Sequence, residues 1–314
     1  MDNAINLSIV VPLFEEEESI LEFYNSLIKI VDFKKYNYEI IFAIDKSRDA
    51  TLQIVHDLAI HNSRVKYLLF SYRIGHQRAL MAGMAKANKE NIIVTIDGDL
   101  QHPPSIIPEL IDRICDDSVS IAQSLRVNSV DERLLLRKIS AYIYKIFSKI
   151  SGLDLKVGTT DFRAITPEVA RLLRENYLDK NPFIRGYLGS LSLPTSYVEY
   201  FASNRLGGKS KFTFRSLTNL SLNALVGFST KPLKIIMLIG MWISALSFIC
   251  SIAVVVVKIV DATQVPGYTT LFFAIFFLAG IQIFSMGVIG LYISEALTSI
   301  QNRPLYMIEK SKNL

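Results

Sequence analysis

Apolar residues fall along this chain in two patterns, one periodic and one continuous. Leu7 to Val11 is an unbroken apolar, β-branched run that ends at Pro12, and Glu17 to Val31 follows with apolar positions at helical spacing. The pair then recurs. Tyr38 to Ala43 reads as a strand before a helix near Thr51 to Ile60, Val65 to Leu69 as a strand before a helix from about Arg78 to Ala87, and Asn91 to Ile96 as a fourth buried strand. Strands that are apolar throughout and alternate with amphipathic helices predict an α/β fold with a mostly parallel sheet covered on both faces.

The continuous pattern comes later. Ile235 to Val257 and Thr269 to Ser294 contain no Asp, Glu, Lys or Arg, and each exceeds the roughly 20 apolar residues that cross a hydrocarbon core. A buried soluble hairpin is the competing reading, but helices of this length are uncommon in globular cores. Lys231 and Lys234 precede the first run, Arg303, Lys310 and Lys312 follow the second, and the connection holds Lys258 opposed by Asp261. That asymmetry predicts a two-helix transmembrane hairpin with both ends in the cytoplasm. The chain is thus divided into a cytoplasmic α/β domain (residues 1–211), an interfacial juxtamembrane helix (212–232), the hairpin (233–296) and a cytoplasmic tail (297–314). Asp131 to Ile150 has the rhythm of a basic amphipathic helix, with Arg133, Arg137, Lys138, Lys145 and Lys149; by itself it fits an anionic membrane surface and an ordinary solvated face equally, and its place in a chain with two spans favours the membrane. Met1 to Ser8 lacks a basic n-region and a small-residue cleavage site, so the large domain is expected to stay in the cytoplasm, at the inner (plasma) membrane. Gly280, Gly287 and Gly290 would let the second span pack closely, within the hairpin or in a homo-oligomer.

Composition adds little. A net charge of +5 gives no ground for a nucleic-acid partner, and the only cysteines, Cys115 in the soluble part and Cys250 inside an apolar run, argue against a disulfide framework.

In parallel sheets ligands sit beyond the carboxyl ends of the strands. There this sequence places Pro12-Leu13-Phe14-Glu15, then Asp45-Lys46-Ser47-Arg48-Asp49, then Ser71 to His76, then Asp97-Gly98-Asp99. Asp97 and Asp99 aim two carboxylates at one region and repel unless a cation joins them. Oxygen-only ligation suits Mg²⁺ or Mn²⁺, with a diphosphate completing the shell.

Val10-Val11-Pro12-Leu13-Phe14-Glu15-Glu16-Glu17, Asp45 with Ser47 and Asp49, Arg73 with Gly75-His76-Gln77, and Asp97-Gly98-Asp99-Leu100-Gln101-His102-Pro103-Pro104 together resemble the family 2 glycosyltransferases. The likeness is to the polyprenyl-phosphate branch, which includes dolichol-phosphate mannose synthases and the bactoprenol glucosyltransferases of O-antigen modification. It continues through Asp161-Phe162-Arg163, Phe183-Ile184-Arg185-Gly186, Arg205 with Gly208, Ser210 and Lys211, and Phe228 to Leu233, as far as Arg303-Pro304-Leu305-Tyr306.

This resemblance implies a GT-A, Rossmann-like domain that moves a sugar, glucose as first guess, from a UDP-sugar to polyprenyl (undecaprenyl) phosphate with inversion. Pro12, Phe14, Glu15 and Asp45 would then form the nucleotide pocket, and Asp97, Asp99 and Gln101 would surround the metal. Asp161 matches the catalytic aspartate, and Arg205, Ser210 and Lys211 match a segment closing over the donor diphosphate. Arg126, Arg137 and Ser140 would hold the acceptor phosphate. A phosphate monoester has its second pKa near ~6, so Asp161 is expected to orient the acceptor as much as to take a proton.

The chain departs from the family pattern at Ile44-Asp45-Lys46-Ser47, where Asp-Asp-Gly-Ser is usual, at Thr160 before Asp161, and at Ile74 after Arg73. Rival readings are a GDP-mannose enzyme of the dolichol type, a processive synthase, and a non-catalytic scaffold or lipid-flipping subunit. The synthase is disfavoured by too few spans and by a single tryptophan, Trp242, inside one of them.

Overall fold

The computed structural model describes residues 5–116, 118–127, 156, 158–177, 179, 182–201, 233–243, 245, 249, 267–301 and 304–314. The chain divides into two units, one holding the sheet together with residues 303–314 and one holding a long helix near the C-terminus.

The first unit begins as the hydrophobic pattern predicts. Strand β1 (Asn6–Leu13) leads to helix α1 (Ile20–Phe33), β2 (Asn37–Ile44) to α2 (Thr51–His61), and β3 (Val65–Phe70) to α3 (His76–Lys86) before β4 (Ile92–Thr95). In β1 and β2 every residue after the first is buried, as both-face coverage demands. Helix α1 turns Ile20, Phe23, Leu27 and Val31 inward at spacings of three and four residues.

It starts later than the predicted Glu17 because Glu16 and Glu17 are engaged elsewhere. The Glu16 amide donates to Thr51 Oγ1 at 2.9 Å, and the Glu17 carboxylate accepts the Ala50 amide at 2.8 Å. Those bonds tie the end of β1 to the loop after β2.

Beyond β4 come α4 (Ile107–Asp116), β5 (Ile121–Val127), β6 (Thr159–Ile165), α5 (Pro167–Asn176), α6 (Ile184–Ser190) and β7 (Thr195–Phe201). The eight-stranded sheet runs β7-β5-β6-β4-β1-β2-β3-β8, with β8 spanning Ile308–Lys312. It is parallel at β1/β2, β1/β4, β2/β3 and β5/β7 and antiparallel at β4/β6, β5/β6 and β3/β8. The sheet is therefore mixed, with β6 as the reversed strand in its second half. Within the stretch divided off as the cytoplasmic tail (297–314), residues 308–312 complete the sheet as its edge strand.

In the second unit, α7 (Tyr268–Ile300) is one continuous helix of 33 residues that extends the second apolar run at both ends. Residues 233–243 are helical as well. Among the described residues, no helix is long and apolar enough to cross a membrane; several side chains of α7 lie outside them. A Cβ built on Gly280, Gly287 or Gly290 would meet nothing within 4 Å. The basic helix expected over 131–150 and the interfacial helix over 212–232 lie outside the described residues.

Candidate active site

The carboxyl ends of β1 to β4 and the start of β6 share one edge, because β6 runs antiparallel to β4 and Thr95 faces Arg163. On that edge Asp97 and Asp99 leave β4 and Asp161 enters through β6. The Thr95 hydroxyl donates to the Asp161 carbonyl and fixes the two backbones together. Gly98 packs closely: a Cβ there would lie 2.6 Å from Leu13 Cδ2, so that side chain would have to shift.

The Asp161 carboxylate is buried and surrounded by donors. Arg163 Nη2 approaches Oδ1 at 2.5 Å, Arg185 donates through Nε to Oδ1 at 3.1 Å and through Nη2 to Oδ2 at 3.0 Å, and Gln77 Nε2 donates to Oδ2 at 2.9 Å. Burial would raise its pKa, but the Arg185 guanidinium, His76 and Arg163 hold it well below the usual carboxylate range. Such a carboxylate is a poor proton acceptor at neutral pH and a strong orienting group.

His76, the first residue of α3, joins the two acids. Its Nε2 lies 3.4 Å from Asp161 Oδ2 and 3.6 Å from Asp97 Oδ1. Burial would lower the imidazole pKa, yet the flanking Asp97 and Asp161 carboxylates push it up to about 9. Asp97 is held on its other oxygen by His102 Nε2 at 3.2 Å, and His102 Nδ1 meets the Tyr200 hydroxyl at 2.5 Å. Burial pushes the Tyr200 phenol up to about 12, so it keeps its proton at neutral pH.

The expected nucleotide residues line the same edge. Pro12 is buried in β1, and Glu15 follows in a left-handed conformation with φ 54°. The Arg73 guanidinium stacks on the Phe14 ring at 3.9 Å from its centroid. Asp45 is buried, with Oδ1 accepting the Ile74 amide at 2.8 Å and Oδ2 the Gly75 amide at 2.9 Å. It pins the turn into α3, where Gly75 takes φ 88°. Gln101 donates its backbone amide to Asp99 Oδ1 at 3.1 Å. Arg126 stands half-buried at the end of β5. Arg137, Ser140, Arg205, Ser210 and Lys211 lie outside the described residues.

The donor chemistry fits a hard divalent cation. Asp97 and Asp99 offer oxygen ligands two positions apart, both only half-buried, next to the nucleotide edge. Among the described residues, no group of three or more His, Cys, Asp or Glu side chains is placed to hold a metal ion.

Sequence reasoning placed Asp45, Asp97 and Asp99 on one edge and took Asp161 from the family resemblance, but gave no role to His76, Gln77, His102, Arg163 or Arg185. All five stood inside the quoted motifs; Tyr200 carried no signal. Beside Arg185 lies an open pocket of about 370 Å³ that Gln123, Lys156, Thr159 and Tyr197 help to line.

This edge, with its paired aspartates after β4 and its buried aspartate in β6, belongs to a known class. Residues 8–179 match glycosyl transferase family 2, and the chain belongs to that family. Its mixed, Rossmann-like sheet with flanking helices is the GT-A arrangement expected of it. Similar proteins include the glycosyltransferase YkcC of Bacillus subtilis, 33% identical over 99% of this chain and 95% of that one. The bactoprenol glucosyl transferase of Shigella phage SfII is 36% identical over 98% of each. The crystal structure of TarS from S. aureus with UDP-GlcNAc is a looser likeness, with TM-score 0.49 and 17% identity over 71% of this chain and 66% of that one.

Proposed function

We propose that this chain is an inverting transferase that moves a sugar, glucose first among the choices, from a UDP-sugar to polyprenyl phosphate at the cytoplasmic face of the plasma membrane. The observation that carries the reading is the bridge from the Asp97 carboxylate through His76 to Asp161, which puts a diphosphate-facing pair and an orienting carboxylate within one imidazole of each other. The relative named bactoprenol glucosyl transferase, aligned over nearly its whole length, supports the lipid acceptor and the glucose.

In the reaction, an acceptor phosphate oxygen forms a bond to the anomeric carbon as the bond from that carbon to the diphosphate oxygen breaks. UDP departs with the electron pair. The phosphate is already largely ionised, with a second pKa near ~6, so no side chain needs to remove a proton. Asp161 instead fixes Arg185, whose guanidinium borders the pocket containing Lys156 and so presents positive charge to an anionic acceptor. Asp97 and Asp99 would hold Mg²⁺ or Mn²⁺, which when bound supplies charge neutralisation to the leaving diphosphate. Gln101 would stand beside that metal. Arg205, Ser210 and Lys211 would close over the donor, and Arg126, Arg137 and Ser140 would assist the acceptor phosphate.

The membrane hairpin belongs to the same proposal. Residues 269–294 are free of charge and fall within α7, whose length is about 50 Å at ~1.5 Å per residue. Strands β1 to β7 and β8 belong to one sheet, which supports an even number of crossings between residues 201 and 308. A homo-oligomer packed through Gly280, Gly287 and Gly290 extends this reading.

The test is transfer by the detergent-purified protein from radiolabelled UDP- and GDP-sugars to polyprenyl phosphate, with Mg²⁺, Mn²⁺ or EDTA. Metal-dependent label in a lipid product identifies donor and acceptor. GDP-mannose as the preferred donor would overturn the sugar and base named here, and no turnover with any donor would favour a non-catalytic subunit.

A further inference from the structure

Lys46 Nζ and Glu309 Oε2 lie 2.9 Å apart although the residues are 263 positions distant in sequence. They meet because β8 closes the sheet on β3. Ile308 faces Phe70 at the carboxyl end of β3 and Lys312 faces Tyr67, so the chain enters β8 at the nucleotide edge. Main-chain and ring contacts fasten that entry. The Ser71 amide donates to the Met307 carbonyl at 3.0 Å, and the Tyr306 ring meets Phe70 edge-on with centroids 5.7 Å apart. Glu309 is therefore delivered to this edge by the backbone. Its pair with Lys46 is exposed, at 37% and 54% of the two side chains, and pairs so placed add little to stability.

Asp45, the carboxylate expected in the nucleotide pocket, is buried, and each of its oxygens accepts a backbone amide. Lys46, next in the chain, is open to solvent. Beyond the bond joining them, Lys46 keeps two further N–H donors and Glu309 a second carboxylate oxygen. A donor and an acceptor side by side match the edge of uracil, where an N–H neighbours a carbonyl.

We propose that Lys46 and Glu309 read the base of the donor nucleotide, Glu309 accepting the uracil N3–H and Lys46 donating to O4. The C-terminal strand is then a wall of the nucleotide pocket and a determinant of donor choice. Cytosine inverts both groups, with a bare N3 facing the carboxylate and an amino group facing the ammonium. This assignment rests on the nucleotide-sugar reading of the site.

Calorimetric titration of the full chain in detergent with UDP and CDP, in Mn²⁺, tests it. Wild type should prefer UDP. Lys46→Ala and Glu309→Ala should each weaken UDP about tenfold and bring the UDP to CDP ratio toward one, the scale of one good base-edge contact. Glu309→Gln, which retains an acceptor oxygen, should keep part of the preference, and Lys310→Ala on the same strand should behave as wild type. Wild-type UDP affinity in both alanine variants would overturn the inference. So would equal weakening of UDP and CDP, which would assign the pair to phosphate or to pocket shape. Failure of wild type to bind either nucleotide would instead overturn the donor reading beneath it.

Discussion

Two charged clusters lie at opposite edges of the same sheet, and they are built on opposite principles. At the amino ends of β1 to β3, Glu39 accepts Ser8 Oγ, the Asn88 amide at 2.8 Å and Lys66 Nζ at 2.7 Å, while Asn91 Nδ2 donates to Ser8 Oγ at 3.1 Å. One acid faces one base, and the carboxylate is fully served. At the carboxyl ends, Asp161 is crowded by Arg163, Arg185, His76 and Gln77. Yet Arg163, only 2% exposed, has no hydrogen-bond partner for Nε or Nη1 among the described residues. The first network fastens strands together with every carboxylate oxygen served, whereas the second keeps donors of a buried guanidinium unserved.

The comparison predicts that variants at the two edges separate activity from stability. The largest effect is expected at Asp99, which is half-buried and accepts the Gln101 amide. Asp99→Ala should lower transfer by about a thousandfold, the order of several kcal/mol of lost charge stabilisation, with a melting temperature near wild type. Next is Arg163→Met. Burial pulls the Arg163 pKa down to about 10, so it stays charged at neutral pH beside Asp161. Breaking a buried pair costs about 3 kcal/mol or more, so both Tm and turnover should fall, the first read by thermal denaturation and the second by lipid labelling.

Glu39→Gln should do the reverse of Asp99→Ala: about 2 kcal/mol less stability in denaturant titration, with turnover unchanged in the cold. Burial would raise the Glu39 pKa, but the Asn88 amide, Lys66 and Ser8 outweigh it and hold the carboxyl below its ordinary value of 4.5. A depressed folded pKa gives stability that is fully present above that ordinary value and is lost as pH falls through the folded one. The gap between wild type and Glu39→Gln should therefore close below pH 4.5; a gap constant with pH would show that Glu39 acts by shape.

The first half of the sheet was legible because its strands are uniformly apolar and its helices amphipathic: the predicted Val65 to Leu69 and Thr51 to Ile60 differ from the observed elements by one residue. The second half was not. Strands β5 and β6 carry Gln123, Ser124, Asp161 and Arg163 inward, and buried polar side chains erase the apolar run that marks a core strand. The same residues that make β6 functional hide it. Strand β8, with Glu309, Lys310 and Lys312, has the polarity of an edge strand and read as a tail. Asp97, Asp99 and Asp161 were recognisable as chemistry, whereas the cationic side chains around Asp97 and Asp161 needed the fold to bring α3, β6 and α6 together.

The smallest expected effect is the sharpest test of that assembly. Gln77 Nε2 donates to Asp161 Oδ2 at 2.9 Å while its Oε1 accepts the Ile184 amide at 3.1 Å, so one side chain joins α3, β6 and the start of α6. Arg185, the next residue of α6, grips the same carboxylate. Gln77→Ala removes the brace and leaves every charge in place. If the edge works by orientation, kcat should fall about tenfold, ~1.4 kcal/mol in the barrier, with the KM for the nucleotide donor nearly unchanged, because Asp45, Phe14 and Arg73 are untouched. Gln77→Glu should be worse than alanine, since a carboxylate would repel Asp161. A loss confined to Tm, with kcat at the wild-type value, would make Gln77 a structural brace of the kind seen around Glu39, and the contrast between the two edges would then stop at Arg163.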